Sequence, residues 1–261
     1  MRKHFLATLL ASVTLATVSL SASSSAAYAD PGAAFVAPST SYIAGAQQTI
    51  TDSYVSARFG VAKPVLTGGD AQSATLMLVN NGAGDQISIG WSVNPALNGD
   101  NEPHLFTYWW KKSVGQCYNT ACAGYTPYPS AVIKVGQKLT PGITEKLGIE
   151  HWGTRWWLWV GTDANDSEVI GYFEDSIWST AWPTFSSVSL YGGIDTENVN
   201  PTSQMGNGLC AENPDGLKIG SVTYSTSATV NLSTFATRPR LYSAKALSAR
   251  TFRYGGSGSC S

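Results

Sequence analysis

Charge is scarce in this chain. Asp, Glu, Lys and Arg make up 13% of its 261 residues and almost cancel, leaving a formal net charge of -1. Neither sign gathers into a block, so the basic stripe that neutralises a phosphate backbone is missing and a nucleic-acid partner is excluded. Histidine is scarcer still. Beyond His4 near the start there are His104 and His151, and neither stands in a metal-ligand spacing. The chain has no Gly-x-Ser-x-Gly elbow, no phosphate loop and no Gly-x-Gly-x-x-Gly turn, so no cofactor and no metal is expected. Helical periodicity is weak throughout, and Gly and Pro recur at intervals too short for a helical bundle.

Long apolar runs are missing too, with one exception at the amino terminus. Arg2 and Lys3 precede an apolar stretch over residues 5–20, and Ala27-Tyr28-Ala29 follows before Asp30. This is the pattern of a secretory signal peptide over residues 1–29, cleaved after Ala29. The run is interrupted by Ser and Thr and falls short of the ~20 residues of a membrane span. The expectation is a secreted protein that leaves the membrane once the signal is removed. Residues 30–50 are small, polar and Pro-containing and read as a flexible lead-in to one domain over residues 51–261.

Cysteine is limited to Cys117, Cys122, Cys210 and Cys260, all in the exported part, where disulfides form and persist. Four cysteines allow three pairings. The closeness of Cys117 to Cys122 favours a local hairpin bridge, which leaves Cys210 to hold the tail at Cys260.

What the chain does have is nine Trp, twelve Tyr and abundant Gly, Ser and Thr. Short β-type runs at residues 75–79, 86–94, 105–110, 155–160, 169–173, 187–191 and 217–225 alternate with turn residues such as Asn81-Gly82. Over residues 86–94, Ile87, Ile89, Trp91 and Val93 share one face while Ser88, Gly90, Ser92 and Asn94 share the other. One face is core, and the other, small and polar, suits the floor of a groove. The fold expected is all-β: an antiparallel β-sandwich.

The passage Gly90-Trp91-Ser92-Val93-Asn94-Pro95, then Gly99-Asp100, Phe106-Thr107-Tyr108-Trp109 and Cys117-Tyr118-Asn119, resembles the neprosin family in order and spacing. The resemblance continues through Trp156-Trp157-Leu158, Ile170-Gly171-Tyr172-Phe173, Gly192-Gly193 and Gln204-Met205-Gly206-Asn207-Gly208. It implies two curved, jelly-roll-like sheets with a concave cleft, and in active members an acid-favoured endopeptidase that cleaves next to proline. Two glutamates face each other in that cleft; one activates water while the other, kept protonated by its neighbour, donates a proton.

Those glutamate positions map here to Ser88 and Ile194, neither of which titrates as an acid. The resemblance therefore implies a cleft that binds without cleaving, with Ser88, Trp91, Tyr108, Tyr172 and Gln204 as its contact residues. Its expected partner is a peptide, proline-rich by the family's preference, or an extracellular polymer, and a monomer is expected. Two other readings stay open. Displaced carboxylates, Asp195 or Glu197, would restore proline-directed cleavage at acid pH; regular strand alternation sets Asp195 and Glu197 on the face opposite Ile194. Alternatively, the groove would serve a polysaccharide-active enzyme or binding module.

Overall fold

The computed structural model describes residues 40–70, 72–112, 115–162, 167–178, 180–225 and 228–260. The expected signal peptide over residues 1–29 and the first part of the lead-in, residues 30–39, lie outside the described residues. The second part of that lead-in is not loose. Residues 40–52 form the long strand β1 (Thr40–Asp52), paired on both sides. The sequence understates this strand because its core-facing positions after Tyr42 are Ala44 and Ala46, which are buried but have little β-propensity.

The chain builds two antiparallel sheets. The first contains β1, β3 (Gln72–Asn80), β4 (Gln86–Val93), β5 (His104–Lys111), β6 (Gly115–Tyr118), β11 (Phe185–Thr196) and β13 (Ser233–Ala236), in the order β13-β1-β11-β3-β4-β5-β6. The second contains β2 (Tyr54–Gly60), β7 (Tyr125–Pro127), β8 (Thr144–Trp152), β9 (Arg155–Gly161), β10 (Glu168–Glu174), β12 (Lys218–Tyr224), β14 (Ser243–Ser248) and β15 (Thr251–Gly255). Its order is β14-β15-β12-β2-β8-β9-β10-β7. All seven runs read as β-type from the sequence lie within or across these strands.

The sheets pack face to face as a sandwich. Tyr42, Met77, Ile87, Ile89, Trp91, Leu105 and Leu190 from the first sheet meet Val55, Phe59, Leu147, Ile149, Trp156, Leu158 and Phe252 from the second in one buried cluster. Period-two alternation explains which residues go inward. The set Ile87, Ile89, Trp91 and Val93 is fully buried as the pattern over residues 86–94 predicts. Trp91 also donates its Nε1–H to the Gly60 carbonyl of the opposite sheet at 3.0 Å, which satisfies the one polar atom of a buried indole.

The chain changes sheets between β1 and β2, where buried Asp52 organises the corner. Its Oδ1 accepts hydrogen bonds from the backbone N–H groups of Ser53 at 2.7 Å and Tyr54 at 3.0 Å, and from the Ser225 hydroxyl at 2.5 Å. Two disulfides are present. Cys117–Cys122 closes the turn after β6 with Cα atoms 5.8 Å apart, and Cys210–Cys260 holds the carboxyl-terminal segment at a Cα separation of 5.7 Å. Among the described residues no helix is long and apolar enough to cross a membrane.

Candidate functional site

Each sheet has an outer face as well as the inner one, and strand register sorts the residues singled out from the sequence. On the outer face of the seven-stranded sheet, Ser88 stands opposite Leu78 on β3 and Tyr108 on β5. Gly90 lies between Leu76 and Phe106, and Ser92 between Ala74 and His104. Across β3, Leu78, Leu76 and Ala74 face Ser189, Tyr191 and Gly193 of β11. Small residues run down the middle: Ser88, Gly90 and Ser92 on one strand, Ala74 and Gly193 beside them.

Aromatic rings flank that floor. Phe106 and Tyr118 stack with centroids 5.4 Å apart, and Tyr108 donates its hydroxyl to Gln116 Oε1 at 2.6 Å. Phe106, Tyr108, Tyr118, Leu76 and Ala74 form a buried cluster of their own, separate from the inter-sheet core. Burial pushes the Tyr118 hydroxyl up to about 12, and the Tyr108 hydroxyl further, so both remain neutral donors and acceptors at any physiological pH.

The face ends in a polar row. Asn94, just past β4, donates Nδ2–H to Gln72 Oε1 at 3.3 Å; Gln72 donates Nε2–H to Asp195 Oδ2 at 2.5 Å; and Ser41 donates its hydroxyl to Asp195 Oδ1. Gln72, Asp195 and Ser41 are direct register partners on β3, β11 and β1. Asn94 also caps the short helical turn α1 (Pro95–Asn98), accepting from the Leu97 N–H at 3.1 Å. Asp195 is 8% exposed. Burial raises its carboxyl above the ordinary Asp range, while the bonds from Ser41 and Gln72 pull the other way.

Ser88 and Ile194 do not share a face. Ser88 lies on the outer face at 2% exposure, whereas the Ile194 side chain is fully buried between the sheets, opposite Ser73 and Tyr42 in register. The cause is parity: Tyr191 and Gly193 point outward on β11, so Ile194 points inward and Asp195 outward. Asp195 is thus opposite to Ile194, as alternation predicts, and on the same face as Ser88. The two still stand well apart. Three two-residue rungs separate the row of Ser88 from the row of Asp195, about 20 Å along the sheet at ~3.4 Å per residue. Glu197 is exposed beyond the end of β11.

The other expected contact residues scatter. Trp91 is in the inter-sheet core, because it shares the parity of Ile87 and Ile89, so it lines no surface. Tyr108 belongs to the outer face just described. Tyr172 is on the outer face of the opposite sheet, paired with Trp157. Gln204 lies in a loop, where its Oε1 accepts from the Val65 N–H at 3.0 Å and its own N–H donates to the Val65 carbonyl at 2.9 Å. His151 sits against Trp156 and contacts Asp175 at 3.1 Å. Asn94 belongs to the small, polar face expected over residues 86–94, whereas nothing in the sequence singles out Ser41 and little singles out Gln72. The one available signal was a polar Gln opening an otherwise apolar run on β3.

With this geometry in hand, a comparison of the sequence with protein families decides the kinship: the Neprosin profile matches residues 69–257. The chain belongs to the neprosin family. It is therefore a member of a peptidase family. Among curated protein sequences none matches it. Among solved structures, scytalido-glutamic peptidase with a transition state analog inhibitor matches with a TM-score of 0.50 at 12% identity, covering 83% of this chain and 98% of that one. SCP-B, a member of the Eqolisin family of peptidases in a complex with the tripeptide Ala-Ile-His, matches with a TM-score of 0.47 at 12% identity and the same coverage. At such identity the likeness to scytalido-glutamic peptidase speaks for the sandwich fold of this neprosin-family chain and for nothing finer.

Proposed function

We propose that this neprosin-family protein is exported and binds peptide on the outer face of the seven-stranded sheet, without the two-carboxylate cleavage chemistry of active relatives. One observation carries this reading. Asp195 is the sole carboxylate on that face among the described strand residues, and both of its oxygens are engaged by Ser41 and Gln72. A water held between two carboxylates needs a second acid within hydrogen-bond reach, and neither Ser88 nor Ile194 supplies one. Phe106, Tyr108 and Tyr118 flank the small residues of that face, and proline rings pack well on Tyr and Phe faces. Two disulfides fit an oxidising compartment.

A second reading rests on the Asp195–Gln72 contact. A buried acid with a raised pKa beside a carboxamide donor forms a single-acid arrangement, in which Asp195 exchanges the proton and Gln72 steadies the substrate carbonyl. One experiment separates the two. The purified protein is incubated with proline-containing peptides from about pH 2.5 to 7, a span covering carboxylate titration, and products are read by mass spectrometry. Binding without cleavage is expected. Acid-dependent cleavage that vanishes in Asp195→Asn would establish the second reading and overturn the first.

A further inference from the structure

The outer face of the eight-stranded sheet is built from different residues. On β9 the run Arg155-Trp156-Trp157-Leu158-Trp159-Val160 alternates: Trp156, Leu158 and Val160 enter the core, and Arg155, Trp157 and Trp159 point away from it. Register aligns Tyr54, Glu150, Trp157 and Tyr172 across β2, β8, β9 and β10, with Trp159 beside Gly148 in the next row. Trp152, at the end of β8, is 74% exposed. Aromatic surface gathered this way is costly to leave in water without a use.

These rings are held in place. Trp157 donates Nε1–H to the Trp152 carbonyl at 3.2 Å, packs against Tyr172 at 4.9 Å, and has the Arg155 guanidinium 5.5 Å from its ring. Trp159 lies over Gly148, where an added Cβ would come within 3.1 Å of the indole, and it meets Tyr54 at 5.4 Å and the Lys146 ammonium at 5.3 Å. Rings fixed before a ligand arrives lose little entropy on binding. Together with Tyr128, Glu150, Trp152, Glu168 and Val169 they line a groove of about 630 Å³.

The polar groups in the groove narrow the chemistry of its occupant. Arg155, which lies over the Trp157 and Tyr172 rings beside the groove, is engaged by Glu174 at 2.8 Å, and Glu168 accepts from the backbone N–H groups of Val132 at 3.2 Å and Ile133 at 2.5 Å. The Glu150 side chain makes no hydrogen bond or ion pair with the described residues, and burial raises its carboxyl. The groove therefore offers flat apolar rings and, in Glu150, an acceptor without a side-chain partner among the described residues. A proline-rich segment supplies apolar rings, but its imide nitrogens carry no hydrogen for Glu150. A pyranose supplies both an apolar C–H face for an indole and hydroxyl donors along its rim. Two carboxylates at the groove disfavour a polyanion.

We propose that the outer face of the eight-stranded sheet binds neutral glycan chains, with Trp157 and Trp159 stacking on sugar rings and Glu150 accepting hydroxyl hydrogen bonds. This site is on the far side of the sandwich from the proposed peptide face and does not depend on it.

The test is affinity electrophoresis of the full secreted chain in native gels containing hydroxyethyl cellulose, xylan or laminarin, followed by calorimetry with the hexasaccharide of the retarding polymer. Retardation in at least one gel is expected. Trp157→Ala and Trp159→Ala should each weaken binding at least tenfold, Trp159→Phe should recover part of it, and Glu150→Gln should weaken it several-fold. Thermal melts of each variant establish that it is folded; Glu150→Gln keeps the test standing if an indole variant is not. Unretarded migration in all three gels would overturn the proposal. So would wild-type retardation of a folded Trp159→Ala or Glu150→Gln protein, or binding of a deca-proline peptide to this face in preference to the glycans.

Discussion

The two outer faces of this sandwich share one core and one rule of strand alternation, yet they differ in nearly every property that a ligand would meet. The seven-stranded sheet presents Ser88, Gly90, Ser92, Ala74 and Gly193, a floor of small residues between buried rings, and its carboxylate, Asp195, is tied to Ser41 and Gln72. The eight-stranded sheet presents large rings, Trp157, Trp159, Trp152 and Tyr172, braced by Arg155 and Lys146, and its central carboxylate, Glu150, has no side-chain partner among the described residues. Belonging to a peptidase family accounts for the sandwich. The outward side chains, which the core does not constrain, determine what each face can do.

The largest expected effect tests whether Ile194 belongs to a face at all. Ile194→Glu would bury an unpaired carboxylate between the sheets and should cost about 3–5 kcal/mol, read as a lost or sharply lowered melting transition. A folded, acid-active Ile194→Glu protein would instead mean that the position opens to the peptide face.

Next comes a pair of tryptophans. Trp91→Ala should lose about 3–5 kcal/mol as a large cavity forms in the core, whereas Trp159→Ala, on the outer face, should stay within about 1 kcal/mol of wild type in denaturant melts. Comparable losses would erase the distinction between core and binding surface.

Reduction ranks third. On chain entropy alone, opening Cys210–Cys260, which closes a 50-residue separation, should cost about 4 kcal/mol, and opening Cys117–Cys122 about 2 kcal/mol. Melts of Cys210→Ser/Cys260→Ser and Cys117→Ser/Cys122→Ser double variants check that order.

The smallest effect concerns the two carboxyls. Burial raises both above their unfolded values, so the native state holds the proton more tightly, and each group's contribution to stability falls as pH rises from about 4 through its folded pKa. Asp195→Asn and Glu150→Gln should therefore gain stability relative to wild type as pH rises, by at most about 1.4 kcal/mol per pH unit. The slope should be shallower for Glu150, which is closer to solvent. Equal slopes in the melting temperature against pH would show that the two faces are alike in burial.

Legibility in the sequence followed local pattern. The run from Gln86 to Val93 was readable because large apolar and small polar residues alternate without a break, and Trp156 against Trp157 and Trp159 could be divided by the same count. β1 was not readable, since Ala44 and Ala46 carry the inward parity without the bulk that marks a core strand. Ser88 and Ile194 were matched by motif and fall on opposite faces, because a motif records order along the chain, and one residue reverses the direction of a side chain in a strand.

The sequence by itself determined the all-β class, the inward set on β4 and the family motifs. These depend on residues two apart or on short contiguous strings. Only the tertiary structure decided that Gln72, Asp195 and Ser41 meet in one row, and that Tyr54, Glu150, Trp157 and Tyr172 align in another. Each row joins strands far apart in the chain, and strand order and register across a sheet are set by how two faces pack, which no local window of sequence contains.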